Sequence, residues 1–278
     1  MNPLFSIDAL LSQPMAISES HWLRLCDRIA PIISDSTLLG AGPNPIESPS
    51  AQLLQLLNEE PEPEKPYTVT DGTATISFAG VVSKRTDRWM ARWLGLLDLD
   101  HYDAAMIAAR DDGEVERIKV DFHSPGGSVI GVEDSMMLTR QVSRVKPVLA
   151  TSDTLLASAA YFIASQATEI RVSNSMIIGS IGVIKGRYDF SEHASEQGIK
   201  AHVVRSGDLK APGHLRGEKI TEAQLSYDKE EVMRLFAIHD DHVKASRPAL
   251  SDDYKRGQLV TGREAVEIGM ADSIMALG

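Results

Sequence analysis

Arg117-Ile118-Lys119-Val120-Asp121-Phe122 runs through His123 directly into Ser124-Pro125-Gly126-Gly127-Ser128, and this stretch decides the fold. The first six residues read as a β-strand. Pro125 fixes its own φ and removes an N–H, and the two glycines permit backbone angles that a side chain forbids, so the strand ends in a tight turn. Residues 128–144 then read as a helix. Working outward, the same alternation repeats. Residues 73–78 (TATISF) are β-branched and aromatic and read as a strand. Residues 102–110 are Ala-rich and helix-like, 147–151 a strand and 158–167 a helix. Strands are expected at 169–172, 181–184 and 201–204, with a helix at 190–197. Residues 221–245 form a long amphipathic helix, opened by Thr221 and followed by Pro248. Strands alternating with helices imply an α/β fold with a layered sheet.

The chain has 278 residues and a net charge of −11, which argues against a general nucleic-acid binder with a basic face. Residues 1–66 hold 9 of the 13 prolines and only three basic residues, Arg24, Arg28 and Lys65. Within them, 20–33 read as a short amphipathic helix and 40–66 as an acidic, Pro-rich tether. We therefore expect an N-terminal arm over 1–66 and one compact domain over 67–278. The longest uncharged stretch near the middle, 154–168, has 15 residues, too few for a membrane helix. Cys26 is the sole cysteine, so no intrachain disulfide or cysteine metal cluster is expected. The histidines show no ligand spacing. Neither metal nor cofactor is called for.

Four segments could carry chemistry. The amides of Ser124-Pro125-Gly126-Gly127-Ser128 at a strand–helix junction suit an oxyanion hole, or the segment is simply a tight turn. Ser158, within Leu155-Leu156-Ala157-Ser158-Ala159-Ala160-Tyr161, has small neighbours that leave room for a substrate, or it is a helix N-cap. Gly179-Ser180-Ile181-Gly182-Val183-Ile184, taken alone, is packing. Lys210, in Ser206-Gly207-Asp208-Leu209-Lys210, taken alone is a surface lysine.

All four occur in order, followed by Val260-Thr261-Gly262, Ala265 and Ile268-Gly269-Met270-Ala271-Asp272. Together they resemble the S49 peptidases, which comprise the signal peptide peptidase A enzymes and the phage prohead proteases. The resemblance covers about residues 73–277 and implies a Clp/crotonase-like ββα spiral. It also implies a Ser–Lys dyad, with Ser158 as nucleophile and Lys210 as general base. Ser180 would orient the lysine, and the Gly127 amide, with that of Gly126, would bind the oxyanion. His123, Ser124 and Tyr161 are candidates for the substrate cleft. The physical logic stands beside the resemblance. A serine hydroxyl needs a base within reach, and a lysine becomes one only when burial disfavours its charged form. The related Clp-type proteases use a histidine, which in this chain would fall within 176–184, where there is none. His123 is the nearest local alternative.

The start MNPLFS and the helix-like arm look like the phage members, whereas the membrane-anchored peptidases begin with a transmembrane segment. We therefore expect a phage head maturation protease. Its substrates would be scaffold, capsid or portal proteins, and it would act as a homo-oligomeric ring in the host cytoplasm and within the prohead. No nucleic acid and no membrane span are expected. A soluble signal peptide peptidase A-like enzyme is the alternative. A crotonase-like acyl-CoA enzyme and a non-catalytic assembly protein are further ones. Some phage members continue into a scaffold region; this chain stops at Gly278 just after Ala271-Asp272-Ser273-Ile274, so a scaffold region would be a separate gene product or a missing extension.

Overall fold

A computed structural model describes residues 15–17, 65–86, 91, 94–210 and 217–276. The expected helix at 20–33 lies outside the described residues, as does nearly all of the tether. The chain joins the described body at Lys65 and Tyr67. The Lys65 ammonium lies 2.7 Å from the Asp112 carboxylate, and the Tyr67 hydroxyl donates to it at 2.9 Å. Lys65, the Glu114 N–H and the Tyr67 hydroxyl together hold Asp112 at about 2.

Thirteen strands and six α-helices are described. The largest sheet contains β2 (Thr68–Thr70), β3 (Thr73–Ala79), β6 (Arg117–His123), β8 (Val148–Ser152), β10 (Glu169–Val172) and β13 (Ser273–Ile274), in the order β13-β10-β8-β6-β3-β2. From β3 to β13 all pairings are parallel, and β2 caps one edge antiparallel to β3.

Each long strand is followed by a short one that leaves this sheet. β4 (Val81–Ser83) follows β3, β7 (Gly126–Ser128) follows β6, β9 (Leu155–Ala157) follows β8, and β11 (Ile177–Gly179) follows β10. The first three pairs lead into helices: α1 (Leu99–Asp111, after the added strand β5, Leu96–Asp98), α2 (Val132–Ser143) and α3 (Ala159–Ala164). This is the ββα succession expected. The short strands form two further sheets. One has the order β1-β7-β4-β5, with β1 spanning Met15–Ile17. The other has the order β12-β11-β9, with β12 spanning Leu259–Thr261. A bridge between Ser124 and Leu156 links their neighbourhoods.

Alternation explains the inner faces. Ala74, Ile76 and Phe78 of β3 are buried, as are Ile118, Val120 and Phe122 of β6. Phe78 packs edge-on against Tyr102 of α1 at 5.0 Å and tilted against Phe122 at 4.7 Å. The Tyr102 hydroxyl meets the Thr139 hydroxyl at 2.8 Å, and the latter donates to Ser135 O. A buried polar atom is thus satisfied inside the core.

Three expectations need correction. The helix read over 128–144 begins four residues later, because Gly126–Ser128 is a strand and Gly131, at φ 80°, turns the chain into α2. The strand read at 181–184 lies at Ile177–Gly179 instead, since these residues pair with β9 and β12 on either side. Residues 201–204 are irregular, with Val204 almost wholly exposed. The helix read at 190–197 is present as α4 (Ser191–Glu196).

The long helix α5 (Glu222–Ser246) starts as read. Thr221 and Gln224 form a reciprocal capping box, satisfying two otherwise orphaned N–H groups. On its inner face His239 stacks on Phe162 of α3 at 4.9 Å. Its Nδ1–H donates to Leu235 O at 2.7 Å, and its Nε2 is buried with no hydrogen-bond partner. Burial pushes the imidazole pKa down. The unfolded chain therefore binds this proton more readily, and the contribution of His239 to stability is lost as pH falls below the ordinary histidine value of about 6.5. Thermal unfolding scans from pH 8 to 5 are expected to show a falling midpoint. His239→Phe should flatten part of that fall. An identical pH dependence in the two proteins would contradict the assignment.

Candidate active site

β9 ends at Ala157 and α3 begins at Ala159, so Ser158 occupies the corner between them. Its backbone sits at φ 54°, ψ −119°, outside the regions favoured by residues with a Cβ. Such a conformation costs roughly 1–3 kcal/mol and persists only where the surroundings impose it. Here they do: Ser158 N–H donates to Gly179 O at 2.8 Å, and Ser158 O accepts from Phe162 N–H at 2.9 Å. The side chain makes no capping hydrogen bond, which removes the N-cap alternative. Instead the hydroxyl donates to Gly182 O at 3.5 Å. Ala157, Ala159 and Ala160 surround it, all fully buried, and Ser158 itself is 1% exposed.

The parallel register of β9 with β11 pairs Ala157 with Gly179. The next residue, Ser180, therefore runs alongside Ser158. Ser180 also has a positive φ, 52°, and its N–H donates to Gln258 O at 2.8 Å. Gly179 cannot carry a side chain, because at φ 126° a Cβ would sit 2.5 Å from Gln258 O. The Gly179-Ser180-Ile181-Gly182 segment is thus both packing and the wall beside the serine.

On the other side lies the Ser-Pro-Gly-Gly turn. The Ser124 hydroxyl donates to Gly80 O at 2.6 Å and accepts from Gly126 N–H at 3.2 Å. Ser124 N–H donates to Leu155 O, and Ala157 N–H donates to Ser124 O, so the turn is bolted to the strand that delivers Ser158. Gly127 is packed so closely against β4 that a Cβ there would run into the Val82 backbone. The plain tight turn read as the alternative is therefore a turn fixed against the serine-bearing strand.

Ser124 and Tyr161 do not line an open cleft as expected. Ser124 is fully buried by the bonds just described. Tyr161 is fully buried as well, because its hydroxyl donates to Met270 O at 3.1 Å beneath α3. Burial also raises the Tyr161 pKa. Both hold the site from behind. Gly126 N–H is taken by Ser124, which leaves Gly127 as the candidate oxyanion donor of the pair. His123 is exposed at the end of β6, and its Nδ1 bonds the Thr154 hydroxyl.

Lys210 stands apart. Residues 206–210 are all exposed, in a turn closed by Lys210 N–H donating to Gly207 O at 2.9 Å. Within one chain it makes no hydrogen bond to Ser158. The Val260 to Asp272 motif, in turn, is structural. The Thr261–Glu264 capping box starts α6 (Gly262–Glu267), and a Cβ on Gly262 would collide with Ser173 O. The Asp272 carboxylate accepts from Ile170 N–H and from the Arg247 guanidinium at 2.7 Å each. Arg247 also donates to Ser165 O and Ala167 O, closing the end of α3. One feature at the site had no sequence signal: Met15–Ile17 pairs antiparallel with Gly126–Ser128. Three residues in an arm otherwise read as helix and tether carry no periodicity to mark them. Among the described residues no cluster of metal-ligating side chains and no helix long and apolar enough to cross a membrane is present.

Residues 140–277 match the family model described as Peptidase family S49. Among curated proteins, the chain is 25% identical over 222 residues to the capsid assembly protease C of Escherichia phage lambda, covering 78% of this chain and 50% of that protein. It is 27% identical over 220 residues to the head-tail preconnector protein GP5 of Enterobacteria phage P21, covering 77% and 42%. The chain thus spans about half the length of these relatives. Among solved structures, the ClpP protease catalytic domain from Plasmodium falciparum aligns with a TM-score of 0.41 at 14% identity, covering 73% of this chain and 85% of that one.

Proposed function

Because residues 140–277 match the model of peptidase family S49, we propose that the chain is a serine endopeptidase whose nucleophile is Ser158. The observation that carries this reading is the backbone of Ser158, forced to φ 54° with its hydroxyl released from capping, beside a glycine turn fixed for an oxyanion. In the first step Ser158 Oγ attacks the scissile carbonyl and its proton passes to the Lys210 amine. The tetrahedral oxyanion is met by Gly127 N–H, a donor set before charge develops. The lysine then returns the proton to the leaving amine, and water deacylates the serine by the reverse path. Ser180 holds the lysine towards Ser158. Residues 67–278 are the catalytic domain and 1–66 its arm.

The exposure of Lys210 bears on assembly. An ammonium in water cannot take a proton, so a lysine base must be buried by something. The same region exposes Tyr188, Phe190, Ile199 and Leu209. We propose that copies of the chain pack over it in a ring and bury Lys210 next to a serine. Substrates are protein chains. The likeness to the lambda capsid assembly protease supports scaffold, capsid or portal proteins as targets during phage head maturation, in the host cytoplasm and within the prohead. A signal peptide peptidase A-like role is the second reading, supported by a 26% identical relative over 175 residues, the putative signal peptide peptidase SppA of Enterococcus faecium, which the chain covers by 49%.

The test is incubation with unfolded casein and with a capsid scaffold protein between pH 6 and 9, products read on gels. The parent is expected to cleave at least one of them and Ser158→Ala neither. Cleavage by Ser158→Ala at the parent's rate would sink the reading.

A further inference from the structure

The strand that presents Gly127 is already occupied. In the sheet order β1-β7-β4-β5, β7 lies between two partners. On one side Val82 of β4 faces Gly127 in parallel. On the other Met15, Ala16 and Ile17 lie opposite Ser128, Gly127 and Gly126, antiparallel. Without β1, β7 would be an edge strand with unpaired backbone groups, the kind of edge that takes up an extended peptide by strand addition. Ala16 stands opposite the residue assigned to the oxyanion. Ile17 is 3% exposed, so the arm also seats an apolar side chain there.

We propose that Met15–Ile17 is an internal competitor for the substrate strand, and that the full chain is held partly latent because its own arm fills the edge beside Gly127. This rests on the reading of Gly127 as the oxyanion donor. A protein substrate must displace the arm before its own backbone can pair with β7. The arm belongs to the same chain, so its pairing with β7 is intramolecular, and free substrates compete at a disadvantage. The occupation is non-covalent and affects access alone. It therefore raises the apparent KM and leaves kcat unchanged.

Two full-chain variants test this. Ala16→Pro removes a backbone donor and disfavours strand pairing. Ile17→Asp places a charge in the buried apolar position. Each is expected to lower the KM for unfolded casein on the order of tenfold, with kcat within twofold of the parent and an unfolding midpoint lower by only the roughly 2–4 °C that loss of arm docking costs. A synthetic peptide of residues 11–20, LSQPMAISES, should inhibit Ile17→Asp competitively. Carrying a fluorophore, it should also bind Ser158→Ala/Ile17→Asp more tightly than Ser158→Ala, by anisotropy. If both variants are active with the parent's KM and the peptide neither binds nor inhibits, the arm is not a competitor, while the peptidase reading stands. If no variant cleaves casein and the labelled peptide still binds only where Ile17 is replaced, the arm does cover the β7 edge, but the catalytic reading fails and with it the competition for substrate. If neither cleavage nor differential binding is seen, both are overturned.

Discussion

Lys210→Arg is expected to lose as much activity as Lys210→Ala, on the order of a thousandfold or more in kcat/KM. The guanidinium keeps the charge and the approximate length, but it stays protonated and cannot accept the serine proton. A purely electrostatic role for Lys210 predicts the opposite, because arginine would then rescue much of the rate. The comparison is informative because of where Lys210 lies. It is exposed on a turn, so neither substitution should disturb folding, and equal unfolding midpoints would confirm this. Mixing Lys210→Ala with Ser158→Ala extends the test. If the lysine of one copy serves the serine of another, the mixture regains part of the parent's rate through sites that hold both groups. If each chain supplies its own pair, the mixture stays inactive.

Gly127→Ala is the second large effect. A single methyl there has nowhere to go, since backbone atoms of Val82 occupy its place, and backbone cannot rotate aside as a flexible side chain can. The strand β7 must move away from β4, at a cost of roughly 3 kcal/mol in stability. The same movement carries the Gly127 N–H off the oxyanion, and losing one such donor lowers kcat on the order of 10²–10³-fold. Gly113→Ala, where a Cβ meets nothing, is the control and should change neither quantity appreciably. Measuring kcat and the unfolding midpoint together separates the two consequences. A stable Gly127→Ala protein with full activity would remove this residue from the oxyanion role.

Much of this arrangement is legible in the sequence. The β-branched and alternating stretches at 73–78 and 117–122 are strands because their inner residues fill one face of the parallel sheet. Thr221 announced α5 through capping chemistry that is local in sequence. The elements that escaped are those set by distant partners. β4, β7, β9 and β11 have three residues each, too short for periodicity, and exist because the chain folds neighbours against them. The strand expected at 181–184 is displaced for the same reason. The pairing of Ile177–Gly179 with β9 and β12 outweighs the β propensity of the residues that follow.

At the site, Ser158 stood out by its small neighbours and Gly127 by its turn, and the order of motifs, through the resemblance, gave each its expected role. What the motifs did not reveal was how each residue is employed. Ser124 and Tyr161 read as cleft residues, yet their hydroxyls are spent on Gly80 O and Met270 O, inside the wall that holds the serine corner. The positive φ of Ser158 is likewise invisible in sequence, because serine has no preference for it. It follows from the close approach of Gly179 O on one side and the start of α3 on the other.

The central claim is that the strained serine at the β9–α3 corner forms the covalent intermediate. The direct measurement is mass spectrometry of the full chain after reaction with a fluorophosphonate or a chromogenic acyl ester, followed by peptide mapping. We expect one adduct per chain, located on Ser158, and none on the Ser158→Ala protein. An adduct on Ser180 or on another hydroxyl, with Ser158 unmodified and casein still being cleaved, would contradict the account.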